Sequence, residues 1–178
     1  MKEFDFVVIG SGIAGLSFAL KAADKGSVAL VTKRGRADSN TAWAQGGVAC
    51  VTSDEDSFEL HIRDTLIAGA GLCHEDAVRA VVTGGPDRIE ELVRLGMHFD
   101  RRETNGENEL DLGKEGGHSK RRILHFQDST GMEIERTLLE QISNHPGIEV
   151  MENHMAVDFI TTGKLGYALK QVLRIPGK

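Results

Sequence analysis

Gly10-Ser11-Gly12-Ile13-Ala14-Gly15 sets three glycines at the spacing GxGxxG. Glycine at these positions suits one kind of chemistry. Gly10 permits a tight turn, Gly12 lets the backbone approach a pyrophosphate with no Cβ in between, and Gly15 lets a helix lie close on a strand. Backbone N–H groups at the positive end of that helix would then face the phosphates. The acidic residue that ordinarily meets a ribose at the end of the second strand is replaced by Thr32-Lys33-Arg34, which argues against a plain NAD site. Lys33 is left to meet phosphate or ribose oxygens, although a solvated lysine at a strand end satisfies the spacing equally well.

The elements that must hold such a turn are legible around it. Residues 4–9 are apolar apart from Asp5 and read as a buried strand, and Leu16, Ala19, Leu20 and Ala23 recur at helical spacing, with Gly26 placed to stop the helix. Residues 28–32 read as a second strand. Strand, tight turn, helix and strand within about thirty residues make a βαβ unit with parallel strands. Residues 35–49 are small, polar and glycine-rich around the single tryptophan, Trp43, and read as a binding loop. Helical spacing predicts helices over 57–67, 75–82 and 86–95, between the second and third strands, with Pro86 in the first turn of the last and Gly96 just past its end. Residues 101–117 show no periodicity and are expected to form a long excursion. A helix carrying Ile134, Leu138, Leu139 and Ile142 is expected to stop at His145-Pro146-Gly147, followed by strands over 148–151 and 156–161. Val172, Leu173 and Ile175 begin a further element.

Composition bounds the function. With 178 residues, 40% of them hydrophobic, the chain is one globular domain or a piece of one. A net charge of −6 without a run of like charges gives no general surface for nucleic acid and no basic face for a membrane. Lys120-Arg121-Arg122 is the one basic concentration, and three adjacent cations ordinarily make a solvated loop. Cys50 and Cys73 stand too far apart for a CxxC redox or zinc motif, so reduced thiols and no metal are expected. The apolar run at 4–9 is too short for a signal peptide or a membrane span, and a cytoplasmic location is expected.

Ser39-Asn40-Thr41-Ala42-Trp43-Ala44-Gln45-Gly46-Gly47 resembles the flavin-contacting loop of the succinate dehydrogenase, fumarate reductase and L-aspartate oxidase flavoproteins. In the respiratory members a histidine of this loop carries the flavin covalently. Asn40 stands in its place, so the resemblance implies FAD held without a covalent link. A longer run resembles the L-aspartate oxidase family: Glu115-Gly116-Gly117-His118-Ser119, then Arg121-Arg122-Ile123-Leu124-His125, Asp128 and Thr130-Gly131. Asp64-Thr65-Leu66-Ile67-Ala68-Gly69-Ala70-Gly71 and Asn144-His145-Pro146 agree with it.

The resemblance implies an α/β fold, a Rossmann-like FAD-binding domain with a parallel sheet and flanking helices, incomplete at the C-terminus. Residues 1–178 would be its amino-terminal part, with the capping and C-terminal helical domains absent. Carried over residue by residue, it places Gly10, Ser11, Gly12, Ile13, Ala14, Gly15, Lys33 and the run from Asn40 to Gly47 around FAD. It assigns Glu115 to orient L-aspartate through its amino group. The charges are compatible, since a carboxylate pairs with an ammonium while His118 and Arg121 could meet the substrate carboxylates. Taken alone, Glu115 reads as a surface glutamate, and His118 and His125 as satisfied structural histidines. The family's proton-transfer arginine falls outside the chain, so no catalytic acid or base is assigned, and the 178-residue chain alone is expected to be inactive. The enzyme implied oxidises L-aspartate to iminoaspartate, the first step of NAD biosynthesis, passes electrons to oxygen or fumarate, and hands its product to quinolinate synthase. Two alternatives stand beside it. One is a soluble fumarate reductase or succinate dehydrogenase-type flavoprotein, against which Asn40 and the 115–125 run speak; the other is a non-catalytic, truncated nucleotide-binding fragment.

Overall fold

The β-strand β1 (Phe6–Ile9) leads through the glycine turn into α1 (Ile13–Ala23), which returns the chain to β2 (Val28–Val31). β1 and β2 run parallel with Phe6 opposite Val28 and Ile9 opposite Val31, as the βαβ reading requires. The computed structural model describes residues 2–104, 106–161 and 163–164. After β2 come β3 (Val48–Ala49), α2 (Phe58–Ala68), α3 (Glu75–Thr83) and α4 (Gly85–Arg94). They are followed by β4 (Arg101–Thr104), β5 (Glu107–Leu110), β6 (Leu112–Gly113), β7 (Ile123–Leu124), α5 (Thr130–Ser143) and β8 (Ile148–Met151). β8 pairs parallel with β2, giving a sheet in the order β1-β2-β8. A short antiparallel sheet, β3-β7-β6, and the β4-β5 pair complete the described strands.

Helical spacing decides what meets the sheet. Leu16 and Ala19 of α1 and Leu138 and Ile142 of α5 pack with Val8, Val28 and Leu30 in one cluster, each of them buried. Burial of each valine, leucine or isoleucine side chain contributes about 1.5 to 3 kcal/mol. Local signals set the helix ends. Ser57 Oγ accepts from Leu60 N at 3.2 Å, Pro86 sits in the first turn of α4, and Gly96 beyond its end has φ +100°. No helix among the described residues is long and apolar enough to cross a membrane.

Three expectations are corrected. β1 was expected to be buried, but Val7 is 57% and Ile9 48% exposed, because α1 covers only the Val8 face and nothing among the described residues covers the other. The excursion at 101–117 contains the β4-β5 hairpin, with Thr104 opposite Glu107 and Gly106 at φ +84°. An Asn-Gly pair is a strong hairpin signal, here hidden because strands reading Arg-Arg-Glu-Thr and Glu-Asn-Glu-Leu carry no apolar alternation. Residues 156–161 form no strand. Val157, Phe159 and Ile160 are exposed, and no described strand lies alongside to take the hydrogen bonds of that segment. Val172, Leu173 and Ile175 lie outside the described residues.

Candidate functional site

The turn between β1 and α1 is built around two glycines that the backbone itself demands. Gly10 has φ +103° and donates to Val31 O at 2.8 Å, and a Cβ on Gly15 would stand 1.9 Å from Gly10 O. Gly12 is different. Its φ is −75°, open to any residue, and a Cβ there would come no nearer than 3.4 Å to another group, Thr41 Oγ1. The fold leaves room for a side chain at Gly12, so its absence serves the space in front of the turn. That space holds the start of α1, whose first turn carries no acidic residue. The positive end of the helix is therefore not neutralised by its own side chains.

A cleft of about 520 Å³ opens there. Gly10, Ser11 and Gly12 form one wall, Thr32, Lys33 and Arg34 a second, Asn40 and Thr41 a third, and residues 154–156 a fourth. Ser11 is buried and donates its Oγ to Thr32 Oγ1 at 3.1 Å, which ties the turn to the end of β2. Thr41 Oγ1 accepts from Ile13 N at 3.0 Å and so supplies the cap that Gly12 lacks a side chain to give. A backbone N–H run, an exposed lysine and a helix N-terminus around one cleft can hold an anion of phosphate type. A pyrophosphate fits the donors present, and the bare Gly12 is the cradle that a Cβ would fill.

The loop from Asn40 to Gly47 does not act as one surface. Asn40 and Thr41 line the cleft in front of the glycine turn, whereas Ala42 and Trp43 turn to a second, apolar cleft of about 580 Å³ against Met132 and Leu139 of α5. Trp43 is 76% exposed. Ala44 O accepts from Gly131 N at 3.0 Å and so ties the loop to the first turn of α5, and Gln45 is exposed. At the far end, Glu115 Oε1 lies 3.8 Å from where a Cβ on Gly46 would stand, and Gly47 packs into β7, a Cβ there falling 2.3 Å from Leu124 O. One short loop thus bonds to the glycine turn at Thr41 and passes near the Glu115 carboxylate at Gly46. Ile13 contributes its backbone N–H, while its side chain and Ala14 face outward.

The residues after Glu115 divide. Arg121 is exposed and donates to Leu112 O at 3.2 Å, lining a separate cleft of about 720 Å³ with Lys114 and Lys120. His125 is held by Asp100 Oδ2 at 2.9 Å from its Nδ1, which is the satisfied structural histidine that its residue type alone suggests. His118 Nδ1 is buried without a protein partner among the described residues. The basic triplet is not a solvated loop throughout. Arg122 is fully buried, bidentate to Asp56 at 2.8 and 2.8 Å and bonded to Asp64 Oδ2 at 2.7 Å. Burial works against the Arg122 charge, but the two carboxylates outweigh it and raise its pKa above the ordinary value. The signal for this network was Asp64 itself, placed beside His61 and Ile62 on the inward face of α2, where a carboxylate requires a cation. No group of three or more potential metal ligands occurs among the described residues.

The chain matches the family described as FAD binding domain over residues 5–174. It is 54% identical over 161 residues to L-aspartate oxidase 2-a, chloroplastic, of Nicotiana tabacum, covering 90% of this chain and 24% of that protein. It is 46% identical over 166 residues to the L-aspartate oxidase of Vibrio cholerae, covering 92% of this chain and 31% of that protein. Among solved structures, a quinol fumarate reductase of E. coli superposes with a TM-score of 0.80 at 31% identity, over 90% of this chain and 28% of that one. The chain therefore spans about a quarter to a third of the length of these relatives.

Proposed function

The chain belongs to the FAD binding domain family, and from that premise we propose that it is part of an FAD-dependent L-aspartate oxidase, holding FAD without a covalent link. One observation carries the reading. The loop that caps α1 at Thr41 also approaches Glu115 at Gly46, which sets a glycine turn and an exposed carboxylate at the two ends of one short segment.

The N-terminus of α1 at Gly12, with Lys33 exposed beside it, would receive the pyrophosphate. Asn40 stands where a covalent attachment would need a histidine. Glu115 would pair with the ammonium of L-aspartate and fix the direction in which the Cα–H bond points, a contact of the charge-assisted kind. Flavin, when bound, supplies the two-electron oxidation that turns the C–N single bond of aspartate into the imine of iminoaspartate. In this reading the electrons pass on to oxygen or fumarate, and the imine is handed to a quinolinate synthase in the first step of NAD biosynthesis. A cytoplasmic location belongs to the same reading, although the tobacco relative is chloroplastic by name.

The test is Glu115→Gln in a full-length version of the protein. Glutamine keeps the size and removes the charge, and a hydrogen bond to a charged group is worth about 1.5 to 3 kcal/mol. Aspartate kcat/KM is then expected to fall by roughly one to two orders of magnitude with FAD affinity unchanged. Succinate, which has no amino group, should bind as well as before or better. Equal losses for aspartate and succinate would show that Glu115 supports the site generally and does not read the amino group.

A further inference from the structure

α2 offers one face to three consecutive residues of the loop that carries Glu115. His61 meets the His118 ring edge to face, the centroids 6.1 Å apart. Asp64 Oδ2 accepts from Ser119 N at 2.7 Å and from Ser119 Oγ at 2.8 Å. Ala68 Cβ lies 3.7 Å from where a Cβ on Gly117 would stand. Spacings of three and four residues put positions 61, 64 and 68 on the same side of a helix. Without that support, a loop containing Gly116-Gly117 has much conformational freedom to lose.

The charges are arranged for more than an ion pair. Asp56 already matches Arg122 fork to fork, which is sufficient to neutralise a buried guanidinium. Asp64 adds a second carboxylate, and one oxygen of it receives three donors, two from the loop and one from Arg122. Burial pushes the Asp64 carboxyl up, but Ser119 and Arg122 outweigh burial and hold it below the usual value, so it stays charged at neutral pH.

We propose that this face of α2, through Asp64 with Arg122 behind it, positions the Glu115 loop, making Asp64 and Ser119 positioning residues for the contact between Glu115 and substrate. The inference rests on the reading of Glu115 given above. Asp64 is separated from Ser119 by more than fifty residues of chain, so the loop's place is set by packing and not by its own sequence.

Ser119→Ala in a full-length, FAD-loaded protein tests it, since that change removes one donor from the loop and leaves Arg122 with both carboxylates. KM for L-aspartate is expected to rise roughly tenfold, with kcat less affected and FAD affinity and Tm unchanged. Ser119→Thr keeps the hydroxyl and is expected to restore the wild-type values. Amide hydrogen exchange over residues 115–119, measured without substrate, is expected to accelerate in Ser119→Ala and not in Ser119→Thr. Combined with Glu115→Gln, Ser119→Ala is expected to add no further loss, because both act on one contact. Losses that multiply in the double variant overturn the proposal. So does a Ser119→Ala protein that exchanges and turns over like wild type while Glu115→Gln is impaired. Glu115→Gln with normal aspartate turnover overturns the reading of Glu115 itself.

Discussion

Gly12 and Gly15 look alike in a pattern and differ in what forbids a side chain. At Gly15 the obstacle is the protein's own backbone, 1.9 Å from the missing Cβ, so Gly15→Ala is expected to cost about 3 kcal/mol or more and to show as a lowered denaturation midpoint. At Gly12 the nearest group is 3.4 Å away, and Gly12→Val is expected to fold, as circular dichroism would show, while losing FAD. A folded Gly12→Val protein that binds FAD normally would refute the placement of the phosphates. Asn40 carries a second expectation at this scale. Acid precipitation of the FAD-loaded protein should release all the yellow colour to the supernatant, and colour that stays with the denatured chain would contradict a non-covalent link.

At the scale of elements, α2 carries a carboxylate, Asp64, on its inner face. Asp64 and Asp56 hold Arg122 where no water reaches it, and removing one member of such a buried set leaves a charge unpaired. Arg122→Met is expected to destabilise the fold by about 3 to 5 kcal/mol, read from urea midpoints. His61 on the same helix makes stability depend on pH. Burial, then the charges of Arg122 and His118, lower its pKa in the fold, so the folded state keeps it neutral while the unfolded chain takes up a proton near pH 6.5. The unfolded state binds more protons in that window, so this stability is complete above about pH 6.5 and is lost as the pH falls through the lower folded value. Asp64, also lowered in the fold, gives a second decline below its usual value of 3.8. His61→Phe is expected to flatten the first decline and leave the second. An unchanged slope just below about pH 6.5 would place the first titration on another group.

For the molecule as a whole, the open faces matter most. Trp43, Val157 and Ile160 are more than three-quarters exposed, the cleft beside Lys33 opens to solvent, and Glu115 is exposed among the described residues. Oxidation of an amine at flavin needs the substrate held in one orientation and water kept out. The 178-residue chain supplied with FAD is therefore expected to make no peroxide in response to L-aspartate. Peroxide above a no-protein control, dependent on L-aspartate, would sink that expectation. Exposed apolar surface of this extent also marks where further protein would pack.

The sequence by itself determined what neighbours within a few residues decide. The spacing of Leu16 and Ala19, the apolar spacing over 57–67, Pro86 and Gly96 gave helices where the structure has them, and the order of strand, glycine turn and helix gave the parallel pair β1-β2, because backbone geometry and helix periodicity are local. Glu115 and the 40–47 loop were legible as motifs, but not their meeting at Gly46. Tertiary structure alone decided that Arg122 is buried while Arg121 is exposed, that Trp43 turns away from Asn40, and that Val7 faces solvent from an apolar strand. Each of these depends on what arrives from elsewhere in the chain. Burial and charge pairing are properties of the partner as much as of the residue, and Asp56 and Asp64 stand 66 and 58 positions from the arginine they hold.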